Sequence, residues 1–334
     1  MDYYNNNKWK EVHVACKNGN IKQLNHLISS GINLSEKTKD EWFPLHIACQ
    51  FGHLDIVQLL IENGVNINIT MNGKSAIELA CQNNYNDIVE LLLERGADIN
   101  LGTQNEYKLL HIATKNNNLK MVKLLLKKGH LPVDAKNSKE WTALHIASRY
   151  NYYQIGRYLI KEGHSYVNEI NQEQNTSLHI SSQYGNTTMA QLLISNNADV
   201  NYKNEEGWTP LHVACKYGYE KIVQLLLENY ANINMTTYKY MTPLHIAVYY
   251  NQISVIKYLL QNNNSIDSEK VNNEGKTVFD LAKEKNNKEI NELLEKYANS
   301  EKENANEKIK LYNSIRSQDI INLLNEQFNF KMKN

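Results

Sequence analysis

Apolar and polar positions alternate along this chain in a pattern that returns about every 33 residues. Each copy begins with an apolar segment close to Leu-His-Ile-Ala, followed by a second amphipathic segment such as Ile56-Val57-Gln58-Leu59-Leu60. One position, here named the key residue, is His or an acid in every copy: His13, His46, Glu78, His111, His145, His179, His212, His245 and Asp280. A fixed period of this length predicts one helical unit stacked on copies of itself, an all-α repeat solenoid forming a single elongated array.

Start and stop signals divide each unit into two helices. Thr or Ser precedes several Leu-His segments, and Pro44, Pro210 and Pro243 occupy the first helical position, where proline is favoured. Six residues after each key residue the chain carries Gly or Asn, the residues that most readily end a helix in the left-handed conformation. These are Gly19, Gly52, Asn84, Asn117, Asn151, Gly185, Gly218, Asn251 and Asn286. A second such residue is expected to close the second helix at Gly64, Gly96, Gly129, Gly163 and Asn197, with Tyr230 as an exception.

Charge and hydropathy exclude several classes of protein. Lys and Arg together number 36, as do Asp and Glu, so no overall field favours nucleic acid. No apolar run approaches the ~18 residues that a membrane span needs, and the first residues lack the apolar core of a signal peptide. We therefore expect a monomeric cytoplasmic or nuclear protein without membrane insertion.

The four cysteines lie at equivalent positions. Cys16, Cys49, Cys81 and Cys215 each follow a key residue by three, where a small apolar side chain is expected. No Cys-Xaa-Xaa-Cys or close Cys/His pair accompanies them, so the sequence predicts core thiols rather than a metal site, and no cofactor. The abundance of Asn is attributed to base composition of the coding sequence.

The nine copies together resemble the ankyrin repeat family over roughly residues 7–298, after a disordered N-terminus of residues 1–6. The resemblance implies helix-loop-helix units joined by β-hairpin fingers, with a concave face formed by the fingers and first helices. It also implies that the motif histidines are structural and bond near the finger. Nothing in the chain matches a catalytic motif, so no enzyme activity is expected.

The end of the chain leaves two interpretations open. Residues 299–334 are expected to form a polar linker followed by an amphipathic helix. Within it, Asp319-Ile320-Ile321-Asn322-Leu323-Leu324 repeats the pattern of a second helix. This segment is either a degenerate tenth unit or a tail helix that binds a partner.

Aromatic residues at two equivalent positions are the candidate binding residues. Trp and Tyr dominate binding hot spots because they bury a large area at little entropic cost. The first set precedes the key residue by four: Trp42, Tyr107, Trp141 and Trp208, with Trp9 in the first unit. The second set follows it by five: Phe51, Tyr150, Tyr184, Tyr217 and Tyr250. A polar rim is expected from Lys115, Arg149, Lys216, Lys239, Glu205 and Glu206. The alternative, that these rings pack on neighbouring repeats, stays open.

A modification is the second candidate. Asn100 and Asn201 stand in a Leu-x5-Asp-aliphatic-Asn spacing that resembles the target of asparaginyl hydroxylation, and the alternative is a turn-capping role.

The sequence favours a protein-protein interaction scaffold with protein partners of unknown identity. Two alternatives stay open: an effector of an intracellular parasite or symbiont that acts on a host protein, and a regulatory subunit of an unseen enzyme. The weakest packing is expected in the middle of the array, near Gly156 and Ser181-Ser182.

Overall fold

A computed structural model describes residues 9–101, 108–262, 266–303 and 306–310. Within them the chain forms nine helix pairs, as the nine key residues predict. The first eight helices are α1 Glu11–Asn18, α2 Ile21–Ser29, α3 Pro44–Phe51, α4 Leu54–Glu62, α5 Ala76–Gln82, α6 Asn86–Glu94, α7 Leu109–Lys115 and α8 Leu119–Lys127. The next are α9 Ala143–Tyr150, α10 Tyr153–Lys161, α11 Ser177–Tyr184, α12 Thr187–Ile194, α13 Pro210–Tyr217, α14 Glu220–Glu228, α15 Pro243–Tyr249, α16 Ile253–Asn262 and α17 Val278–Lys285. The second helix of the ninth unit covers residues 288–303.

The helices form two layers. Each odd-numbered helix, from α1 to α17, packs against the odd-numbered helix of the next unit, and the even-numbered helices from α2 to α16 pack in the same way. The core lies between the layers and runs through all units as one apolar cluster. Burying this cluster stabilises the array because each unit covers the apolar face of its neighbour.

Backbone conformation confirms the predicted ends of the first helices. All nine Gly or Asn residues that follow the key residues by six have positive φ, from 51° at Asn286 to 82° at Gly52. The residues predicted to end the second helices need a correction. In the units of His111 and His145, which carry one residue more than the 33-residue period, the left-handed residues are His130 and His164, not Gly129 and Gly163. The extra residue shifts the turn by one position.

Regular strand structure is confined, within the described residues, to the finger of the third unit. There β1 Thr70–Met71 pairs antiparallel with β2 Lys74–Ser75. In the described fingers of the second unit and of the fifth to ninth units, the chain makes a tight turn in which a Thr or Asn eight residues before the key residue accepts hydrogen bonds from the backbone. In one of them, the Trp208 N–H donates to Asn204 Oδ1 over 2.9 Å, and the Asn204 N–H donates to the Trp208 carbonyl over 2.9 Å.

A ladder of side-chain amides connects the loops that follow the second helices. Asn68 Oδ1 accepts from the Asp98 N–H of the next unit over 2.8 Å, and Asn168 and Asn201 accept equivalently from Asp199 and Asn232. These bonds cross from one repeat to the next. These three asparagines therefore hold neighbouring units in register.

The polar segment after residue 298 continues as helix, through residues 299–303 and again over 306–310. The Asp319–Leu324 segment and the N-terminal residues 1–6 lie outside the described residues.

Candidate functional site

The key histidines fix each finger to the unit before it. The Thr142 hydroxyl lies 2.9 Å from His145 Nδ1, and His145 Nε2 lies 3.0 Å from the Asn175 carbonyl at the base of the next finger. A carbonyl can only accept, so Nε2 carries the proton and Nδ1 accepts from Thr142. His179 and His212 repeat the arrangement with Thr176 and Thr209.

Burial keeps these imidazoles neutral. Desolvation lowers the pKa of His145 and His179 to about 4 and that of His212 to about 3, because the cost of burying an imidazolium outweighs the backbone hydrogen bonds that favour it. The pKa of His46 is likewise lowered to about 4 by burial. The histidines are therefore structural groups, as the resemblance implies.

A groove between the fingers and the odd-numbered helices, here named the finger groove, contains predicted aromatic residues of both sets. At its centre the Arg149 guanidinium lies 5.8 Å from the ring of Trp141, 5.6 Å from Tyr150 and 5.2 Å from Tyr184 of the next unit. A cation over a ring face is attracted by the ring quadrupole. Arg149 therefore holds three rings from two units in place.

Lys216 repeats the arrangement two units later. Its ammonium lies 5.3 Å from both Trp208 and Tyr217 and 5.5 Å from Tyr250. This part of the finger groove is an open cavity of about 710 Å³, with Tyr238 and Tyr249 also in its wall. A smaller cavity of about 240 Å³ surrounds Arg149.

The four predicted tyrosines are partly accessible in this groove. Tyr150 is 43% exposed, Tyr184 and Tyr217 are each 40% exposed and Tyr250 is 39% exposed. They are neither core residues nor free side chains, because each ring contacts a cation, and Tyr150 and Tyr217 also stack on Tyr152 and Tyr219.

The predicted tryptophans are more deeply buried than these four tyrosines. Trp141 and Trp208 are partly buried, with ring centroids 5.9 Å and 6.2 Å from those of His145 and His212. Trp42 and Phe51 pack against the core, and Tyr107 lies outside the described residues.

Two cations of this surface lie elsewhere than the sequence predicted. Arg149 and Lys216 were expected in a polar rim, but each lies among the rings of an aromatic cluster. Both follow their key residue by four, as does Lys17, which lies 5.8 Å from Trp9 and from Phe51. In the sequence, this arrangement could have been recognised from a basic residue four positions after the key residue, in units that carry aromatic residues at both predicted positions.

A family model for ankyrin repeats matches residues 12–103, 99–171, 163–237 and 234–306. The chain belongs to the ankyrin repeat family. Its structure is similar to the ankyrin repeat domain of human ASB11, with a TM-score of 0.59 and 26% sequence identity over 67% of this chain and 99% of that one. A search of curated proteins finds no match.

Ankyrin repeats generally mediate protein-protein interaction. In the described part of this ankyrin array, no group of three or more His, Cys, Asp or Glu side chains is placed to hold a metal ion. None of its described helices combines the length and the apolar character needed to cross a bilayer.

The cysteines of the ankyrin array are free and buried, which confirms the prediction that they are core residues. Burial raises the pKa of Cys16 and of Cys81 to about 12, so both are neutral thiols at physiological pH.

Proposed function

We propose that this ankyrin array is a non-catalytic adaptor that binds a protein partner in the finger groove. The observation that carries the proposal is the pair of ring clusters around Arg149 and Lys216, in which accessible tyrosines from successive units are already oriented. Preorganised aromatic side chains lose little entropy on binding, and this favours their use as contact residues.

Charge supports a protein as the occupant. The wall of the larger cavity contains Glu206, Glu274 and Glu284 beside Lys216, Lys239 and Lys285. Both signs lie within one groove, so a partner surface with mixed charge fits it better than a polyanion does. We propose a cytoplasmic or nuclear location, which the free thiols support because disulfides are rare in reducing compartments.

The test compares partner binding with folding stability in the same variants. The full chain first serves as bait, and the captured proteins are identified by mass spectrometry. Tyr150→Ala, Tyr184→Ala, Tyr217→Ala and Tyr250→Ala are then each expected to weaken a captured partner by about 1–2 kcal/mol while changing the unfolding free energy by less than about 0.5 kcal/mol.

Tyr166→Ala is the matched control, because Tyr166 is 59% exposed and lies outside both groove cavities. It is expected to change neither quantity. Loss of stability in the groove variants without loss of binding would show that the rings only pack the array. An effector or a regulatory subunit would use the same groove, and the identity of the captured partner distinguishes these alternatives from a scaffold.

Hydroxylation of Asn100 and Asn201 is a separate proposal. Asn201 is a rung of the amide ladder, since its Oδ1 accepts from Asn232 N–H and its Nδ2 donates to the Tyr230 carbonyl over 3.3 Å. This geometry also supports the alternative of a turn-capping role. Peptide mass spectrometry of the chain from its native source is expected to show one added oxygen on each asparagine, and unmodified peptides at full coverage contradict the proposal.

A further inference from the structure

The even-numbered helices form the face opposite the finger groove, and some lysines on that face pair with acids of the neighbouring repeat. Lys128 of the loop after α8 lies 2.6 Å from both Glu90 and Glu94 of α6. Lys120 of α8 lies 3.1 Å from Asp87, and Lys257 of α16 lies 2.7 Å from Glu289. At these two junctions, facing acids and bases of adjacent units neutralise each other.

The pair α8 and α10 departs from that arrangement. Lys123 and Lys127 of α8 share a groove with Arg157 and Lys161 of α10, and all four side chains are exposed. Among the described residues none of the four forms an ion pair, although Glu162 also lines the groove. Lys123 with Lys127, and Arg157 with Lys161, are like charges four positions apart, an arrangement that destabilises a helix. Folding therefore does not account for this cluster.

Two half-buried side chains, Leu119 and Tyr158, form the floor of the groove between these two helices, and the four cations line it with them. The volume of the groove is about 300 Å³. Lys123 Nζ lies 5.3 Å from the Tyr158 ring, which orients that ammonium towards the floor. Each row spans one helical turn, which is the spacing of two carboxylates at i and i+4 on a facing helix.

The surroundings limit the size of the anion that fits. On one side, α6 presents Asp87, Glu90 and Glu94, and on the other α12 carries no charged residue between Thr187 and Ile194. The positive surface is thus only two helices wide. A nucleic acid or an anionic bilayer needs a broader field, whereas a single acidic helix matches this area.

We propose that the groove between α8 and α10, lined by Lys123, Lys127, Arg157 and Lys161, is a second docking surface that binds an acidic amphipathic helix of a partner protein. Carboxylates at i and i+4 pair with the cations, and an apolar side chain between them contacts Leu119 and Tyr158. The surface lies on the even-numbered helices and does not depend on binding in the finger groove.

The probe is a fluorescently labelled model helix with glutamate pairs at i,i+4 flanking leucines on one face, titrated with the full chain at about 0.1 M salt. A peptide of the same composition, with its glutamates distributed around the helix, tests geometry. The double variant Lys123→Glu with Arg157→Glu is expected to weaken binding of the patterned helix by at least about tenfold.

The matched control is Lys22→Glu with Lys221→Glu, which changes the net charge equally at exposed positions of α2 and α14. It is expected to alter affinity by less than about twofold, because these lysines lie outside the groove. Thermal melting of every variant separates binding from folding. If the charge reversal lowers the melting temperature, Lys123→Gln with Arg157→Gln replaces it, with a smaller loss expected.

Several outcomes overturn the proposal. They are the absence of saturable binding by the patterned helix up to about millimolar chain, equal affinity of the two double variants, and equal affinity for the two peptides. Tighter binding of phosphatidylserine vesicles or of a DNA duplex, lost in the Lys123/Arg157 variant, would reassign the surface to a membrane or to nucleic acid.

Discussion

The four units that begin at α1, α3, α5 and α7 differ from the four that begin at α9, α11, α13 and α15. In the later group a threonine caps every first helix and also holds its key histidine through Nδ1: Thr142, Thr176, Thr209 and Thr242. In the earlier group only Ser75 accepts a capping bond, while the side chains of Lys10, Phe43 and Lys108 accept none. The fold thus forms without a threonine cap in the earlier group, and we expect the threonines to add stability to the later half.

This difference places the least stable units elsewhere than the sequence does, which predicts the weakest packing near Gly156 and Ser181-Ser182. Met189 of the next unit occupies the space that a Cβ at Gly156 would take, so no void is left there. Weak packing in the middle of the array stays a prediction. Hydrogen exchange at neutral pH decides between the two, because the missing caps predict that α1 to α8 exchange before α9 to α15.

Acidification is expected to have the largest effect and to reverse the order of opening. Folded-state pKa values near 4 for His145 and His179 and near 3 for His212 lie below the ordinary 6.5, so the folded chain binds fewer protons than the unfolded chain. Their stabilisation is complete above about pH 6.5 and falls towards pH 4, by at most about 1.4 kcal/mol per pH unit for each histidine.

Hydrogen exchange and urea unfolding at pH 7 and pH 5 measure this effect. At pH 5 the later units are expected to lose more protection, since they contain three of the four histidines with the lowest pKa values. His212→Gln is expected to flatten the dependence of stability on pH. An unchanged order of exchange at pH 5 would contradict the role given to the histidines.

Removing a threonine cap from the later group is expected to have the next largest effect. Thr209→Val keeps the shape but removes the hydroxyl that lies 2.8 Å from His212 Nδ1 and accepts from the His212 N–H. A loss of about 1–2 kcal/mol in unfolding free energy is expected by denaturant titration. Thr70→Val, at the exposed position of β1, is the control and should change the unfolding free energy by less than about 0.5 kcal/mol.

Ser182 offers a stabilising change in the middle of the array. Its buried hydroxyl has no hydrogen-bond partner, whereas the Ser181 hydroxyl donates to the Leu178 carbonyl over 3.0 Å. Ser182→Ala is expected to raise the unfolding free energy by about 1 kcal/mol, and Ser181→Ala by less. Thermal or urea unfolding of both variants measures the difference. The opposite ranking would mean that the Ser182 hydroxyl is satisfied by solvent.

Adding a cap to the earlier group is expected to have the smallest effect. Lys108 precedes α7 with an extended backbone (φ −73°, ψ 162°), the conformation that a capping threonine adopts. Lys108→Thr should stabilise the chain by about 0.5–1 kcal/mol and slow exchange in α7. Lys108→Ala controls for loss of the lysine, and a threonine variant no more stable than the alanine variant would exclude a capping gain.

Features that act within one unit were predictable from the sequence. The left-handed turns at Gly52 or Asn151 are required by the local backbone, so the choice of residue reveals them directly. The buried position of Cys49 follows in the same way from its place on the apolar face of α3.

Contacts between units were not predictable, because they depend on how far one copy is rotated and displaced from the next. Asn186 illustrates this: its Nδ2 donates to the Ser148 carbonyl of the preceding unit over 2.7 Å and completes the end of α9. In the candidate site, Arg149 reaches Tyr184 across the same interface. A repeating pattern specifies the residues of each unit but not these distances.

Large side chains of one unit pack over glycines of the unit before it, so the two sides of each junction between units differ. Met189 fills the space that Gly156 leaves, and Tyr219 covers Gly185, where a Cβ would approach the ring to 2.7 Å. Units of this chain are therefore not interchangeable modules. Gene duplication or shuffling that placed the Met189 unit after a neighbour with a larger residue at the Gly156 position would force a side chain out of place. The order of the units is thus recorded in matched pairs of residues, and growth of such an array requires changes on both sides of the new junction.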